Sequence, residues 1–237
     1  MSNITYTNED CMVGMARYPD KHFDLAIVDP PYGIGYARGK HGWGVCDNRP
    51  TKADVSWDNA IPDKRYFNEL ARVSKNQIVW GGNYFTDYLP ASKCWIVWNK
   101  IDGTTNKSVF SDCELAWTSF GKVVKMFNLR TMGFISDTVD KDRIHPTQKP
   151  TELYKWLLKN YAKQGDLILD THVGSASSLI ACHDMGFDAV GFELDPDYYK
   201  ASKQRLDDFM RQPRLDQIMQ ENRELIDLFD RPDYSKP

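Results

Sequence analysis

The sequence lacks several features that would define its class. No apolar run is long enough to cross a bilayer. The five cysteines are scattered and form no Cys-x-x-Cys pair, which argues against a zinc site and against a disulfide framework. The stretch from Met1 to Thr5 has no basic segment followed by an apolar one, so we expect no secretion signal. These absences predict a reduced, cytoplasmic protein without a metal site or a membrane anchor.

Charge and composition narrow the function classes further. The formal net charge of −3 does not suggest a general polyanion binder, so contact with nucleic acid would require a local basic surface. Hydrophobic residues make up 41% and charged residues 27% of the chain, as in ordinary soluble domains. Predicted strands alternate with predicted helices over most of the sequence, which indicates a doubly wound α/β sheet. We expect one domain over residues 1–212 and a helical tail over residues 213–237.

One stretch organises the rest of the chain. Four apolar residues, Leu25 to Val28, predict a buried parallel strand, and Pro30-Pro31 stops it because neither proline can donate to a ladder. Asp29 and Tyr32 then stand at the carboxyl end of the strand, where α/β sheets bind ligands. The alternative without a functional role is a strand that ends in a proline turn.

A second constellation follows much later. Leu167 to Asp170 predicts a strand, a turn of small residues follows, and a helix is expected from Ser175 to Met185. The free N–H groups at the start of such a helix suit a ligand, although the phosphate-binding G-x-x-x-x-G-K-[ST] pattern is missing. Glu193 ends the next predicted strand, where an acid can hold a ribose diol. The pattern predicts a nucleotide-like site.

These stretches, together with His145-Pro146-Thr147-Gln148-Lys149-Pro150, resemble the amino-DNA methyltransferases that use S-adenosylmethionine. The match is to the Asp-Pro-Pro-Tyr type, in the permuted motif order of the family's beta group, and is nearest to phage and prophage adenine-specific enzymes. The resemblance implies a Rossmann-like methyltransferase fold: a doubly wound, mixed seven-stranded sheet with one antiparallel strand, expected at residues 113–120. Thr171-His172 and Ala176 depart from the family's usual cofactor turn.

The resemblance also implies roles for individual residues. Asp29 and the Pro30 carbonyl would accept hydrogen bonds from the target amino group, with Pro31 stiffening the turn, and Tyr32 would stack on the extruded base. The residues implied to bind the cofactor are Asp10, Cys11, Asp29, Thr147, Gln148, Lys149, Pro150, Asp170, Val173, Gly174, Ser175 and Glu193. The chemistry requires no metal, because direct displacement depends mainly on alignment.

Two segments are candidates for contact with double-stranded DNA. Residues 33–57 form a basic loop directly after the catalytic tetrapeptide, and we expect it to be mobile; residues 122–144 are irregular in pattern and stand where the family has its target-recognition insert, which is short here. The residues predicted to contact DNA are Arg38, Lys40, Arg49, Lys52, Lys125 and Arg130. A homodimer is a weaker expectation, carried over from beta-group relatives.

Other functions stay open at this point. The acid at position 29 favours methylation of adenine N6, but N4-cytosine methylation is the nearest alternative. RNA or protein-glutamine methylation is less consistent with Asp29, because those enzymes usually carry asparagine there. A DNA-binding protein that keeps an inactive fold is the non-enzyme alternative.

Overall fold

The computed structural model describes residues 2–34, 59–101, 111–132, 135–136, 144–145 and 147–212. Within these ranges, eight strands form one sheet and two short strands form a separate hairpin. The strands are β1 Ile4–Asn8, β2 Phe23–Val28, β3 Ser74–Trp80, β4 Trp95–Asn99, β5 Cys113–Thr118, β6 Lys125–Asn128, β7 Thr131–Met132, β8 Ile135–Ser136, β9 Leu167–Asp170 and β10 Asp188–Glu193. The helices are α1 Cys11–Met15, α2 Lys64–Val73, α3 Thr151–Tyr161, α4 Ser177–Met185 and α5 Pro196–Arg211.

The order of the main sheet is β1-β10-β9-β2-β3-β5-β4-β6. Strand β5 is antiparallel to both of its neighbours, and every other pairing in this sheet is parallel. The prediction of a single antiparallel strand at residues 113–120 is therefore confirmed, with the strand ending at Thr118.

The expected number of seven strands is wrong, because the described residues form eight. The additional strand, β6, lies within residues 122–144, which were predicted to be an irregular insert. Only Phe127 of β6 turns inward, with its ring 5.4 Å from that of Trp156, while Lys125 and Met126 are exposed. A four-residue edge strand with one inward apolar side chain leaves too little periodicity to identify it.

The central strand β2 shows why the sheet is covered on both sides. Leu25 and Ile27 join one hydrophobic cluster together with α3 and α4, whereas Ala26 and Val28 join the other together with α1 and α2. Because successive side chains of a strand point to opposite faces, a continuous apolar run requires helices on both faces. The doubly wound fold predicted from the sequence is confirmed.

Helix α4 begins two residues later than predicted, at Ser177. Gly174 has φ 56° and Ala176 has φ 63°, so the chain is left-handed on both sides of Ser175 and cannot yet be helical. Asp170, at the end of β9, is thereby separated from α4 by an open turn. No helix in the described ranges is long and apolar enough to span a membrane.

Candidate active site

The predicted acidic residues lie along one edge of the sheet. Asp29 directly follows β2, Asp170 is the last residue of β9, and Glu193 is the last residue of β10. These strands are parallel neighbours, and β1, which precedes Asp10, pairs with β10. Since the carboxyl ends of parallel strands share an edge, Asp29 and Asp170, which are 141 positions apart in the sequence, face the same space.

Asp29 is bound on both carboxylate oxygens. The Tyr32 phenol donates to its Oδ1 at 2.6 Å, and the Lys149 ammonium donates to its Oδ2 at 2.5 Å. The side chain of Lys149 is only 3% exposed and that of Asp29 is 17% exposed. The ammonium of Lys149, a residue predicted to cover the methionine end of the cofactor, contacts Asp29.

Lys149 has a partner for each of its three N–H groups. Besides Asp29, its Nζ lies 3.2 Å from the Tyr32 hydroxyl and 3.2 Å from Oε2 of Glu114. The other oxygen of Glu114 lies 3.1 Å from the Nζ of Lys100. Four charges of alternating sign thus run in a row from Lys100 through Glu114 and Lys149 to Asp29.

The charges in this row control each other's ionisation. Burial raises the pKa of Asp29, and the Glu114 carboxylate adds to that rise while Lys149 opposes it. Burial also penalises the charged forms of Lys149 and Glu114. The opposite charges around them outweigh this cost, so the pKa of Lys149 is raised and that of Glu114 is lowered. The structure therefore favours a charged Lys149 and a charged Glu114 beside an Asp29 that is easier to protonate.

The Tyr32 ring is fixed by its neighbours. A Cβ at Gly81 would lie 2.2 Å from the ring, so only glycine fits beneath it. The Tyr84 ring stacks on Tyr32 with centroids 5.0 Å apart and planes at 15°. Lys149 Nζ lies between two rings, 5.6 Å from the centroid of Tyr32 and 5.5 Å from that of Trp80. An aromatic wall beside a partly buried acid is suited to holding a flat polar ring.

The turn after β9 holds a buried acid. Asp170 is 3% exposed and accepts from the Ser178 hydroxyl at 2.5 Å and from the His172 backbone N–H at 3.0 Å. Burial raises the pKa of Asp170 to about 7 against these hydrogen bonds, and the carboxylates of Asp29 and Glu193 contribute to the rise. A cationic ligand placed beside Asp170 would restore its ionisation.

Glu193 closes the same turn from β10. It accepts from the Gly174 N–H at 2.8 Å and from the Asp195 N–H at 3.0 Å. A Cβ at Gly174 would lie 3.7 Å from the His145 ring, so the segment that ends in Lys149 also packs on this turn. Burial and the nearby Lys149 charge lower the pKa of His145 to about 3, which keeps its ring neutral.

The remaining residues predicted to bind the cofactor lie close to these groups. Asp10 caps α1 by accepting from the Met12 N–H at 2.7 Å, and burial raises the pKa of the Cys11 thiol to about 12. The others belong to the turn after β9 or to the segment before α3. They are Thr147, Gln148, Pro150, Val173 and Ser175.

The predicted DNA contacts are only partly covered by the described residues. Arg38, Lys40, Arg49 and Lys52 lie outside them, as does the predicted tail over residues 213–237. Arg130 follows the carboxyl end of β6, which is parallel to β4, so it stands at the edge that carries Asp29. Lys125 begins β6 and stands at the opposite end of that strand.

Glu114 and Tyr84 are among the residues of the site that were missed from the sequence. Glu114 is the single charged residue of the mostly apolar strand Cys113–Thr118, and an acid in such a strand is itself a signal of a partner. Tyr84 follows the Gly81-Gly82 turn at the end of β3, next to β2 in the sheet. Its position at the carboxyl edge could have identified it. Across the described ranges, no group of three or more His, Cys, Asp or Glu residues could hold a metal ion.

Comparisons with known proteins agree with this geometry. Residues 63–204 match the N6/N4 methyltransferase family, described as DNA methylase. The type II methyltransferase M.HpaI of Haemophilus parainfluenzae is 35% identical over 227 residues, which cover 79% of this chain and 69% of that protein.

Solved structures share the fold at low identity. The M1.HpyAVI–SAM complex has a TM-score of 0.56 at 16% identity, covering 86% of this chain and 99% of that one. The cytosine-N4-specific PvuII DNA methyltransferase has a TM-score of 0.57 at 13% identity, covering 88% and 92%. The Rossmann-like methyltransferase fold is confirmed, and this chain belongs to the N6/N4 family of DNA methylases.

Proposed function

We propose that the protein transfers a methyl group from S-adenosylmethionine to the exocyclic N6 amino group of adenine in double-stranded DNA. One observation carries the proposal: three motifs that are far apart in sequence meet at one sheet edge. Lys149 is ion-paired with Asp29, and His145 packs on Gly174. Asp29, the segment before α3 and the turn after β9 therefore lie together at this edge.

Asp29 and the Pro30 carbonyl act as the two acceptors for the target amino group. The lone pair of an aromatic amine is delocalised into its ring, so the amine is a poor nucleophile. Two fixed acceptors draw its N–H bonds out of the ring plane and localise the lone pair, which makes alignment the main source of catalysis. Asp29 is held for this task by Tyr32 and Lys149. Pro31 restricts the turn between them.

Several side chains at this edge have the chemistry to hold the proposed methyl donor. When bound, S-adenosylmethionine supplies a sulfonium methyl group and carries an α-ammonium group. Asp170, buried and bonded by a hydroxyl and an amide, matches a cationic group. Glu193 would hold the ribose, and Asp10 with Cys11 would lie at the adenine ring. The remaining residues proposed to hold the donor are Thr147, Gln148, Pro150, Val173, Gly174 and Ser175.

A base inside a duplex cannot reach a pocket of this kind, so the target adenine must flip out. Tyr32 offers a stacking surface that offsets part of the few kcal/mol of unstacking. Phosphate contacts are proposed for Arg130, at the same edge as Asp29, and for Arg38, Lys40, Arg49 and Lys52 of the basic loop. Lys125 stands at the far end of β6, so its contact would require DNA to extend across that strand.

The test is methyl transfer from labelled S-adenosylmethionine to unmethylated DNA, followed by mass spectrometry of the hydrolysed nucleosides. We expect N6-methyladenine from the wild-type protein and no transfer by Asp29→Ala. The family includes enzymes of both the N6 and the N4 class. Detection of N4-methylcytosine would therefore mean that the target base is cytosine. Transfer by Asp29→Ala at the wild-type rate would remove Asp29 from the mechanism.

A further inference from the structure

Glu114 belongs to the row of charges next to Asp29, but the roles proposed for the tetrapeptide Asp29–Tyr32 do not account for it. Glu114 lies on β5, the antiparallel strand, whose first residues reach the carboxyl edge of the parallel strands. It touches Lys149 at 3.2 Å and Lys100 at 3.1 Å. The Glu114 side chain is 26% exposed, and a partly buried carboxylate costs free energy unless it is paired, so its placement needs a reason.

We propose that Glu114 is a positioning residue of the methyl-transfer site, which holds the Lys149 ammonium against Asp29 and takes part of its positive charge. The inference rests on the proposed function of Asp29. It also gives Lys149 a role toward the catalytic acid in place of the predicted contact with the cofactor.

Geometry supports this assignment. An ammonium has three N–H groups, and those of Lys149 are used by Asp29, by the Tyr32 hydroxyl and by Glu114. Asp29 and Tyr32 are therefore held by one cation, and Glu114 is the only one of its three partners that lies outside the tetrapeptide. Glu114 fixes the direction of the Lys149 side chain, which in turn fixes the Asp29 carboxylate.

Charge gives Glu114 a second effect. Lys149 alone would neutralise Asp29 completely, and a fully paired carboxylate is a weaker acceptor. Because Glu114 shares the ammonium, Asp29 keeps more of its negative charge for a substrate N–H. The titratable groups that interact electrostatically with Asp29 come from several elements and are Tyr32, Tyr66 of α2, Glu114 of β5, Lys149, Tyr154 of α3 and Asp170 of β9.

The decisive variant is Glu114→Gln, which keeps the size of the side chain and an oxygen for Lys149 but removes the charge. Lys149 then pairs with Asp29 alone, so Asp29 ionises at lower pH. We expect the acid limb of the kcat–pH profile to move down by about one pH unit. KM values for DNA and cofactor should not change, because Glu114 acts through Lys149.

Lys100→Met tests the same row from its other end. Without Lys100, Glu114 draws more of the charge of Lys149, and the acid limb should move up. Glu69→Gln is the matched control, since it removes an ion-paired carboxylate on α2, 2.6 Å from Arg72, without touching the row. Its acid limb should stay in place. A purely structural role for Glu114 would lower stability without these opposite shifts.

Carboxyl ¹³C NMR of aspartate-labelled protein gives a readout that does not depend on turnover, with the Asp29 signal assigned by its loss in Asp29→Asn. We expect the same two opposite shifts in its titration. An Asp29 titration that is unchanged in folded Glu114→Gln and Lys100→Met overturns the inference, even when the wild-type protein methylates DNA. If the Asp29 titration shifts in opposite directions in the two variants but the wild-type protein does not methylate DNA, the effect of Glu114 on Asp29 stands and the proposed function is rejected.

Discussion

The Tyr32 ring lies so close to the backbone of Gly81 that a Cβ at this glycine would stand 2.2 Å from it. Gly81 also has φ 69°, a left-handed conformation that side chains rarely adopt. Gly81, directly after β3, thus lies against the Tyr32 ring, which follows β2.

We predict that Gly81→Ala displaces Tyr32 and lowers kcat for methyl transfer at least about tenfold. The left-handed backbone adds a loss of about 1–2 kcal/mol in the free energy of unfolding. Urea denaturation and single-turnover methylation measure the two effects separately. Gly121→Ala is the control, because a Cβ there meets nothing within 4 Å. Wild-type kcat in folded Gly81→Ala would show that the position of Tyr32 does not matter.

The variant Tyr32→Phe separates the contribution of the Tyr32 hydroxyl from that of the ring. The ring keeps its contact with Tyr84, but Asp29 loses a donor at 2.6 Å. Because that hydrogen bond stabilises the carboxylate form, its loss raises the pKa of Asp29 further. The acid limb of the kcat–pH profile should move up, while KM for DNA stays unchanged because stacking is retained.

The control for this change is Tyr199→Phe on α5. It removes a phenol that donates to the backbone carbonyl of Tyr6 at 3.3 Å. Its profile should match that of the wild type. An acid limb in Tyr32→Phe that coincides with the wild-type limb would mean that the hydroxyl does not act on Asp29.

The sequence could predict the parts of this site that are local. Four apolar residues followed by Asp29 and two prolines define a strand end without any tertiary information. The contact between Lys149 and Asp29 joins residues 120 positions apart, and no periodicity encodes it. Glu114 was missed for the same reason: its contact with Lys149 depends on β5 running antiparallel, which brings its first residues to the edge that carries Asp29. Strand β6 was missed because one inward side chain, Phe127, makes no pattern.

Ala176 offers a test of backbone strain in the cofactor turn. It is fully buried with φ 63°, which costs a non-glycine residue about 1–2 kcal/mol. In Ala176→Gly, relief of this strain should offset the lost methyl burial and the added chain entropy, each of about 0.5–1 kcal/mol. We predict a free energy of unfolding within about 0.5 kcal/mol of the wild type.

Ala181 is the matched control, since it is also fully buried but lies inside α4. Ala181→Gly should cost about 1.5 kcal/mol, because nothing offsets the lost methyl group and the added entropy. Equal losses in both variants, measured by urea denaturation, would show that the turn at Ala176 carries no strain.

Asp170 makes the stability of the free protein depend on pH. Its pKa is raised from 3.8 to about 7 in the folded state, mainly by burial. Between these two values the folded state binds more protons than the unfolded state, so the free energy of unfolding falls as the pH rises from about 4 to 7. The full effect is on the order of 4 kcal/mol at most. Asp170→Asn removes this titration, so its stability relative to the wild type should increase with pH over the same window. Urea denaturation at several pH values measures this difference, and parallel stability curves for the two proteins would contradict a raised pKa at Asp170.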